Sequence, residues 1–485
     1  MLHCKDTHKI DELKILFRSG EKVVDLLVDY ISFFDIKSVT ARFDSIKTKG
    51  YSFTNLLSVM VILPFLQMAS LRALLISGYS YLSQAEKDAY YRLKNNSGVN
   101  WRRVLYSFAG KFRKIVVQKG CDQGAGPTCF VIDDSVLEKT GRKIEKIGKL
   151  WDHVSHRWVL GIKLLCLGYY DGKSFVPLDF SFHRERGKNQ KRPYGLTKKE
   201  LKQQYAKQRD KKSPSSTRIA EMNSSKIDNA IKMVKRAVKH GFNADYLLMD
   251  SWFTCEKIIK EVRGIKKYSI HVLGMVKMAK AKYSFNEGDH SAKQLIGLHQ
   301  KKVKRCRKLN AHYIPVRVDY KQTPMQLFFC RYGSRGKWHL IATTDLSLDF
   351  IRAMEIYQVR WTIEVFFKEC KQHLGLGKCQ SNDLDAHFAD TTITMIQYVM
   401  LTLRKRFDVY ETKGSLFKTS QEYILELTLM HRLWGLFIEI VTQLSELFPL
   451  DIEDLMEQLF QNERINNLLG TLLRSTPDTI YDKSA

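Results

Sequence analysis

The hydrophobic positions change period twice along the chain. Apolar residues recur at helical spacing from Leu13 to Phe34 and from Phe53 to Ile76, so residues 1–120 read as helical. The most apolar run, Leu56 to Leu71, is shorter than a comfortable membrane span and carries Pro64 and Gln67, which predicts a buried helix pair and no membrane segment. From Cys129 the pattern shifts to short apolar runs. CFVIDDSVLEK reads as a buried strand that ends in two carboxylates; WVLGIKLLCLGYYDG and SFVPLDFSFH follow as second and third strands around a hairpin turn at Asp171 and Gly172. Ile227, Ala230, Ile231, Val234, Ala237 and Val238 mark one face of a helix that Gly241 stops, and DYLLMDSWFT then supplies a fourth strand ending at Asp250. YSIHVLGMVKMAKAKY, AHYIPVRVDY, MQLFFCRYG and KWHLIATTDL predict further strands separated by basic or Gly-containing turns.

The period returns to helical in YQVRWTIEVFFKECK, Tyr357 to Lys371, which lacks Pro and Gly. At about 100° per residue, Tyr357, Arg360, Glu364, Lys368 and Lys371 share an arc of roughly 80°, and Ile356, Val359, Ile363, Phe366 and Phe367 fill a neighbouring arc suited to a core. A carboxylate among an arginine and two lysines fits a place where a divalent cation and a phosphate backbone meet. It also fits a solvated helix on which Glu364 merely pairs with Arg360 and Lys368. Beyond Lys371 the chain turns at Gly375 and Gly377 and reads as helix to its end.

Charge narrows the picture. Lys and Arg number 79 against 51 Asp and Glu, a formal net charge of +28 that points to a polyanionic partner, nucleic acid first. Residues Arg184 to Arg218 hold 13 Lys and Arg against three acids, and their Gly, Pro and Ser content predicts a mobile basic arm. Tyr90, Tyr91 and Trp101 alternate with Arg92, Lys94, Arg102, Arg103, Lys111, Arg113 and Lys114, a mixture that suits a phosphate-gripping helical surface as well as an ordinary core with solvated charges. The nine cysteines stand singly without CxxC pairs, which suggests neither a zinc site nor a disulfide framework and fits a reducing cytoplasm.

Y-x-x-R-x-x-x-E-x-x-x-x-x-x-K, filled by Tyr357, Arg360, Glu364 and Lys371 with Trp361 beside the arginine, resembles the signature helix of DDE transposases of the insertion-sequence-4 family. The resemblance implies an α/β fold: a ribonuclease-H-like mixed sheet flanked by helices, with a β-rich insertion, an N-terminal helical domain and a helical C-terminal region. It further implies a site in which Asp, Asp and Glu hold two divalent ions, Mg²⁺ or Mn²⁺. Asp133, Asp250 and Glu364 match that set, with Asp134 as the alternative first ligand. Strand alternation sends Asp133 and Asp134 to opposite faces, so only one of them can serve. The Asp250, Ser251, Trp252 tripeptide also resembles the family, although an aspartate there could simply cap a helix starting near Cys255.

On the same resemblance, Arg360 and Lys371 would hold phosphates beside the cut and Tyr357 would position the terminal nucleotide. Lys368 is a further DNA contact by placement, Trp361 belongs to the same DNA-facing set, and Trp338 is either a base-stacking residue of the insertion or a core tryptophan. The expected division is a helical DNA-binding domain over 1–120, a first part of the core over 125–255 with the basic insertion near 184–218, a β-rich insertion over 256–350, completion of the core over 351–395, and a helical region over 396–485 that could serve oligomerisation. The expected activity is cut-and-paste transposition. Its partners would be double-stranded DNA, as terminal inverted repeats and target, and a second copy of the chain, in a bacterial cytoplasm at the nucleoid. A metal-dependent nuclease without strand transfer and a retired DNA-binding repressor are the alternatives.

Overall fold

A computed structural model describes residues 34–407, except positions 48, 67–69, 77–82, 84, 119–125, 268, 280 and 334–335, together with positions 462 and 464. The chain divides into two compact units, Leu27–Ser420 and Met1–Leu26 with Gln421–Ala485. All the elements below belong to the first. Most of the helix expected from Leu13 to Phe34, and nearly all of the C-terminal region expected over 396–485 beyond 407, lie outside the described residues.

One mixed sheet organises the unit. Its strands are β1 (Cys129–Glu138), β2 (Gly148–Asp152), β3 (Arg157–Tyr170), β4 (Phe175–His183), β5 (Tyr246–Met249), β6 (His271–Val276), β7 (Lys282–Phe285), β8 (Gly288–Ser291), β9 (Lys304–Cys306), β10 (Ala311–Tyr320), β11 (Thr323–Tyr332) and β12 (His339–Thr343). β3 lies antiparallel to β1 on one edge and to β2 and β4 on the other, while β5 runs parallel to β1 and β6 parallel to β5. The path then continues β6-β12-β11-β10-β7-β8. All nine residues of β4 are buried, as expected of a strand covered on both faces. This mixed sheet flanked by helices is the ribonuclease-H-like arrangement.

The main helices are α1 (Phe53–Ile62), α2 (Trp101–Gln118), α3 (Pro214–Glu221), α4 (Lys226–Lys239), α5 (Glu256–Arg263), α6 (Phe350–Gln358), α7 (Trp361–His373) and α8 (Leu384–Phe407). The apolar run at Leu56 to Leu71 is helical in pieces, α1 followed by a 3₁₀ turn at Leu63–Leu66, and among the described residues no helix is long and apolar enough to cross a membrane. α8 is tied to α1 by Gln397, whose side-chain amide donates to the Val61 carbonyl at 2.9 Å.

Four expectations are corrected. Tyr357 to Lys371 is two helices: Val359 N–H bonds to Ile356 O and Arg360 N–H to Tyr357 O, a tightening to i−3 bonds that separates α6 from α7. The β-rich segment is no separate start after 256, because β6 pairs directly with β5 and brings the strands after it into the same sheet. The arm at 184–218 is packed: a short helix at Lys198–Lys202 lies within it, α3 begins in it, and Arg209 is buried in a charge cluster described below. Strand β2, which no apolar run announces, pairs with the first residues of β3.

Gly168 shows how the sheet seats the second of the two helices. A Cβ there would fall 2.0 Å from the Phe175 ring, so only glycine admits that ring, which packs 5.6 Å from Phe366 of α7. Phe366 in turn meets Tyr398 of α8 edge-on at 4.8 Å. Ile363, Phe366, Phe367 and Cys370 form the buried face of α7, as its periodicity predicts.

Candidate active site

The last parallel pairs between β1 and β5 are Val131 with Leu248 and Ile132 with Met249, so Asp133 and Asp250 follow on the next rung, side by side where that pairing stops; β1 does not end at its two carboxylates, as its apolar run suggests, because its pairing with β3 carries it on to Glu138. Asp133 is mostly buried, and its Oδ1 accepts the Asp134 N–H at 2.7 Å. Burial pushes the Asp133 carboxyl up to about 7; the Asp134 N–H and the Arg360 guanidinium pull against this, and the neighbouring Asp250 adds to it. Asp250 Oδ1 accepts the Trp252 and Phe253 N–H groups at 2.8 and 3.2 Å, an Asx-type turn that fixes its direction. It is no helix cap: α5 starts at Glu256 with Cys255 as its N-cap.

The signature residues approach from α6 and α7. Arg360, at the N-cap of α7, donates to Asp133 Oδ2 at 3.1 Å and to Glu364 Oε1 at 2.6 Å. One guanidinium thus fills the gap between the β1 carboxylate and the helical one. Its pKa is raised: burial opposes the charge, and Tyr357, Glu364 and Asp133 more than offset that. Tyr357 is half-buried with its ring 5.8 Å from the guanidinium, and its phenol is pushed up chiefly by burial. Lys371 Nζ donates to Ser135 Oγ at 2.7 Å, two residues beyond Asp133 on the same face of β1, and burial lowers its pKa. Lys368 is exposed one turn beyond Glu364, and Trp361 is 61% exposed.

Asp134 points the other way. It pairs with Lys226 of α4 and lies 3.9 Å from Lys163 of β3, so two ammonium groups compensate it. Lys226 Nζ also sits 3.8 Å over the ring of Trp252, which is 44% exposed. Sequence reasoning missed both lysines. Lys163 had a signal, a lone cation inside the apolar run WVLGIKLLCLGYY; Lys226 had none beyond opening a helix.

Trp338 stands apart. It precedes β12, whose Leu340 pairs with Val276 at the carboxyl end of β6, so it lies on the same edge as the aspartates but two strands beyond β5, about 10 Å away across the sheet. It is half-buried, with the Arg331 guanidinium 4.7 Å from its ring centroid.

Among the described residues, no three His, Cys, Asp or Glu side chains lie close enough to hold one ion together. The Arg360 head lies between Asp133 and Glu364 and bonds to both. Two ions about 4 Å apart, each about 2.1 Å from its carboxylate oxygen, need a carboxylate-to-carboxylate span of about 8 Å. Asp133, Asp250 and Glu364 do carry the hard carboxylate oxygens that such cations take.

A sequence model of the Transposase DDE domain family matches residues 124–400, more than half of the chain. The protein belongs to that family. It is a DDE transposase, an enzyme class that works on DNA with divalent metal ions, and the match begins just before β1 and runs into α8. No curated protein matches the chain. The transposase therefore has Asp133, Asp250, Arg360 and Glu364 all inside its family domain.

Proposed function

We propose that the protein is a cut-and-paste transposase of the insertion-sequence-4 type. It cleaves DNA at the ends of its element with two Mg²⁺ or Mn²⁺ ions and joins the freed 3′ ends to target DNA. The observation that carries this reading is the meeting of Asp133 and Asp250 on adjacent strands with Arg360 bridging to Glu364 on the signature helix.

Asp133, Asp250 and Glu364 would hold the ions, which activate the attacking hydroxyl and stabilise the leaving oxygen of an in-line displacement. Asp134 is the poorer ligand, because Lys226 and Lys163 already neutralise it on the far face. Arg360 neutralises the carboxylates in the free protein and, on release, is placed to take up a phosphate oxygen of the DNA. Lys371 and exposed Lys368 extend that cationic line along α7, and Tyr357 and Trp361 offer aromatic faces beside it. Hairpin formation on the flanking DNA, terminal inverted repeats as the recognised ends, and a homodimer holding two ends follow from the family resemblance.

A joining assay tests the reading. Pre-cut DNA carrying a 3′-hydroxyl terminal repeat should be inserted into a plasmid in the presence of Mg²⁺ or Mn²⁺. Cleavage without any joining would leave a nuclease. Inverted repeats found bracketing the reading frame, with a short target duplication outside them, would supply the ends for the assay.

A further inference from the structure

A cavity of about 300 Å³ opens where the beginnings of α2 and α3 meet the end of α4, and none of the signature residues lines it. Its wall holds four arginines, Arg102, Arg103, Arg218 and Arg236, against one carboxylate, Asp385, which Lys207, Arg209 and Ser215 already engage. Behind the wall, Asp179 and Glu221 pair with Arg102 at 2.8 and 2.6 Å and with Arg236 at 2.8 and 3.5 Å. Among the described residues neither acid forms an ion pair with Arg218, although both still act on its charge from a distance.

Arg218 is left over. It is 4% exposed, its guanidinium lies 4.0 and 4.7 Å from the Phe180 and Phe388 ring centroids, and it donates Nη2 to the Phe180 carbonyl at 3.0 Å. Among the described residues its Nε and Nη1 have no hydrogen-bond partner, and neither have Trp101 Nε1 and Arg236 Nη2, whose residues belong to the same wall. Native folds seldom leave several buried donors unmet in one place unless water or an ion meets them. Burial and the neighbouring Arg102 lower the Arg218 pKa to about 9, the mark of an under-compensated charge. Trp101 and Pro214 are the first residues of α2 and α3, so two helix N-termini add their dipoles to the same space.

We infer that this cavity is a phosphate-binding site, built from Arg218, Arg236, Trp101 and the entrance residue Arg103 and separate from the carboxylate cluster. A phosphate group brings negative charge and several acceptor oxygens to donors that have none. It can come from the backbone of bound DNA or from free phosphate. The inference stands without the transposition chemistry, since it needs neither metal nor cleavage.

The test is thermal unfolding of the full chain in inorganic phosphate against chloride at matched ionic strength. Wild type should show a saturable rise in Tm, Arg218→Met should lose it, and Arg103→Glu, at the exposed mouth where folding is not at stake, should need at least about tenfold more phosphate. No saturable rise in wild type, or an unchanged rise in Arg103→Glu, overturns the site. A salt titration of DNA binding separates the sources. If DNA fills the cavity, Arg218→Met reduces the slope of log K against log salt by about one; if free phosphate fills it, the slope stays and only the phosphate response is lost. A slope and a phosphate response both equal to wild type refute the inference, whatever the joining assay gives.

Discussion

Arg360 and Asp133, 227 positions apart in sequence, are joined at 3.1 Å, and the same arginine holds Glu364 at 2.6 Å. The arginine therefore competes with any cation for these carboxylates. Removing it should free them: Arg360→Ala is expected to bind Mn²⁺ roughly tenfold more tightly in the absence of DNA, about 1.4 kcal/mol, while cleaving more slowly. Isothermal titration with Mn²⁺ reads the first effect and a cleavage time course the second. Weaker Mn²⁺ binding in the variant would mean that the guanidinium does not stand where the ion goes.

Asp133 makes the site sensitive to pH. Its carboxyl is raised from an ordinary value near 3.8 to about 7, mainly by burial, so the folded protein holds a proton that the unfolded chain has released. The folded form binds more protons across that interval, so this group's contribution to stability is complete below about pH 4 and is lost as pH rises through about 7. Metal affinity runs the opposite way, because the ion must displace the proton. Below pH 7 it should rise about tenfold per unit and then level off. Asp133→Asn should flatten the metal profile and make the metal-free protein more resistant to heat at pH 8. A variant with the wild-type slope would assign the proton elsewhere.

Asp250→Asn and Glu364→Gln keep size and hydrogen-bonding shape while removing charge. The Asx-type turn at Asp250 depends on one oxygen, which asparagine retains, so folding should be untouched. Cleavage is expected to fall by on the order of 10³ or more in each variant, with end binding within about threefold of wild type. Paired gel-shift and cleavage assays on one preparation make the comparison, and normal cleavage in either variant removes that residue from the chemistry.

Asp134 answers to a different test. Its removal would leave Lys226, largely buried at the start of α4, without its ion pair, and would take the weaker of two acids from Lys163, which keeps Glu185 at 2.9 Å. Asp134→Ala should therefore cost about 3 kcal/mol in chemical denaturation yet keep metal-induced stabilisation. Loss of the metal response with unchanged stability would exchange the roles given to Asp133 and Asp134.

Local features made much of this site readable in sequence. A strand delivers its carboxylate wherever its apolar run stops, which is why Asp133 and Asp250 could be located from hydropathy and why their side-by-side placement followed once the strands paired in parallel. The buried face of α7 was equally plain from Ile363, Phe366 and Phe367. The break between α6 and α7 was not, because Val359 and Arg360 have helical dihedrals and only the hydrogen bonds tighten. Nor was Arg360's reach to Asp133, a contact set by tertiary packing. The largest misreading concerned charge: a run of Lys and Arg looks the same in sequence whether it faces water or a cluster of acids up to 178 positions away.

Arg209 is the sharpest instance of that misreading and yields its own prediction. The segment expected to be a mobile basic arm instead buries this arginine, 5% exposed, among Glu145 at 2.6 Å, Asp383 at 3.2 Å and Asp385 at 3.1 Å. Lys207 adds 2.7 Å contacts to both aspartates. The three acids are themselves only 2–7% exposed, so deleting the arginine strands buried carboxylates near the start of α8. Arg209→Ala should destabilise the unit by about 3–5 kcal/mol, an effect that added salt barely relieves because the cluster is shielded from it. The salt slope of DNA binding should stay at the wild-type value wherever the variant is folded, since a latch makes no phosphate contact. Denaturation and salt titration of one variant thus separate a structural clamp from a DNA-binding arm, and a reduced slope with intact stability would restore the arm.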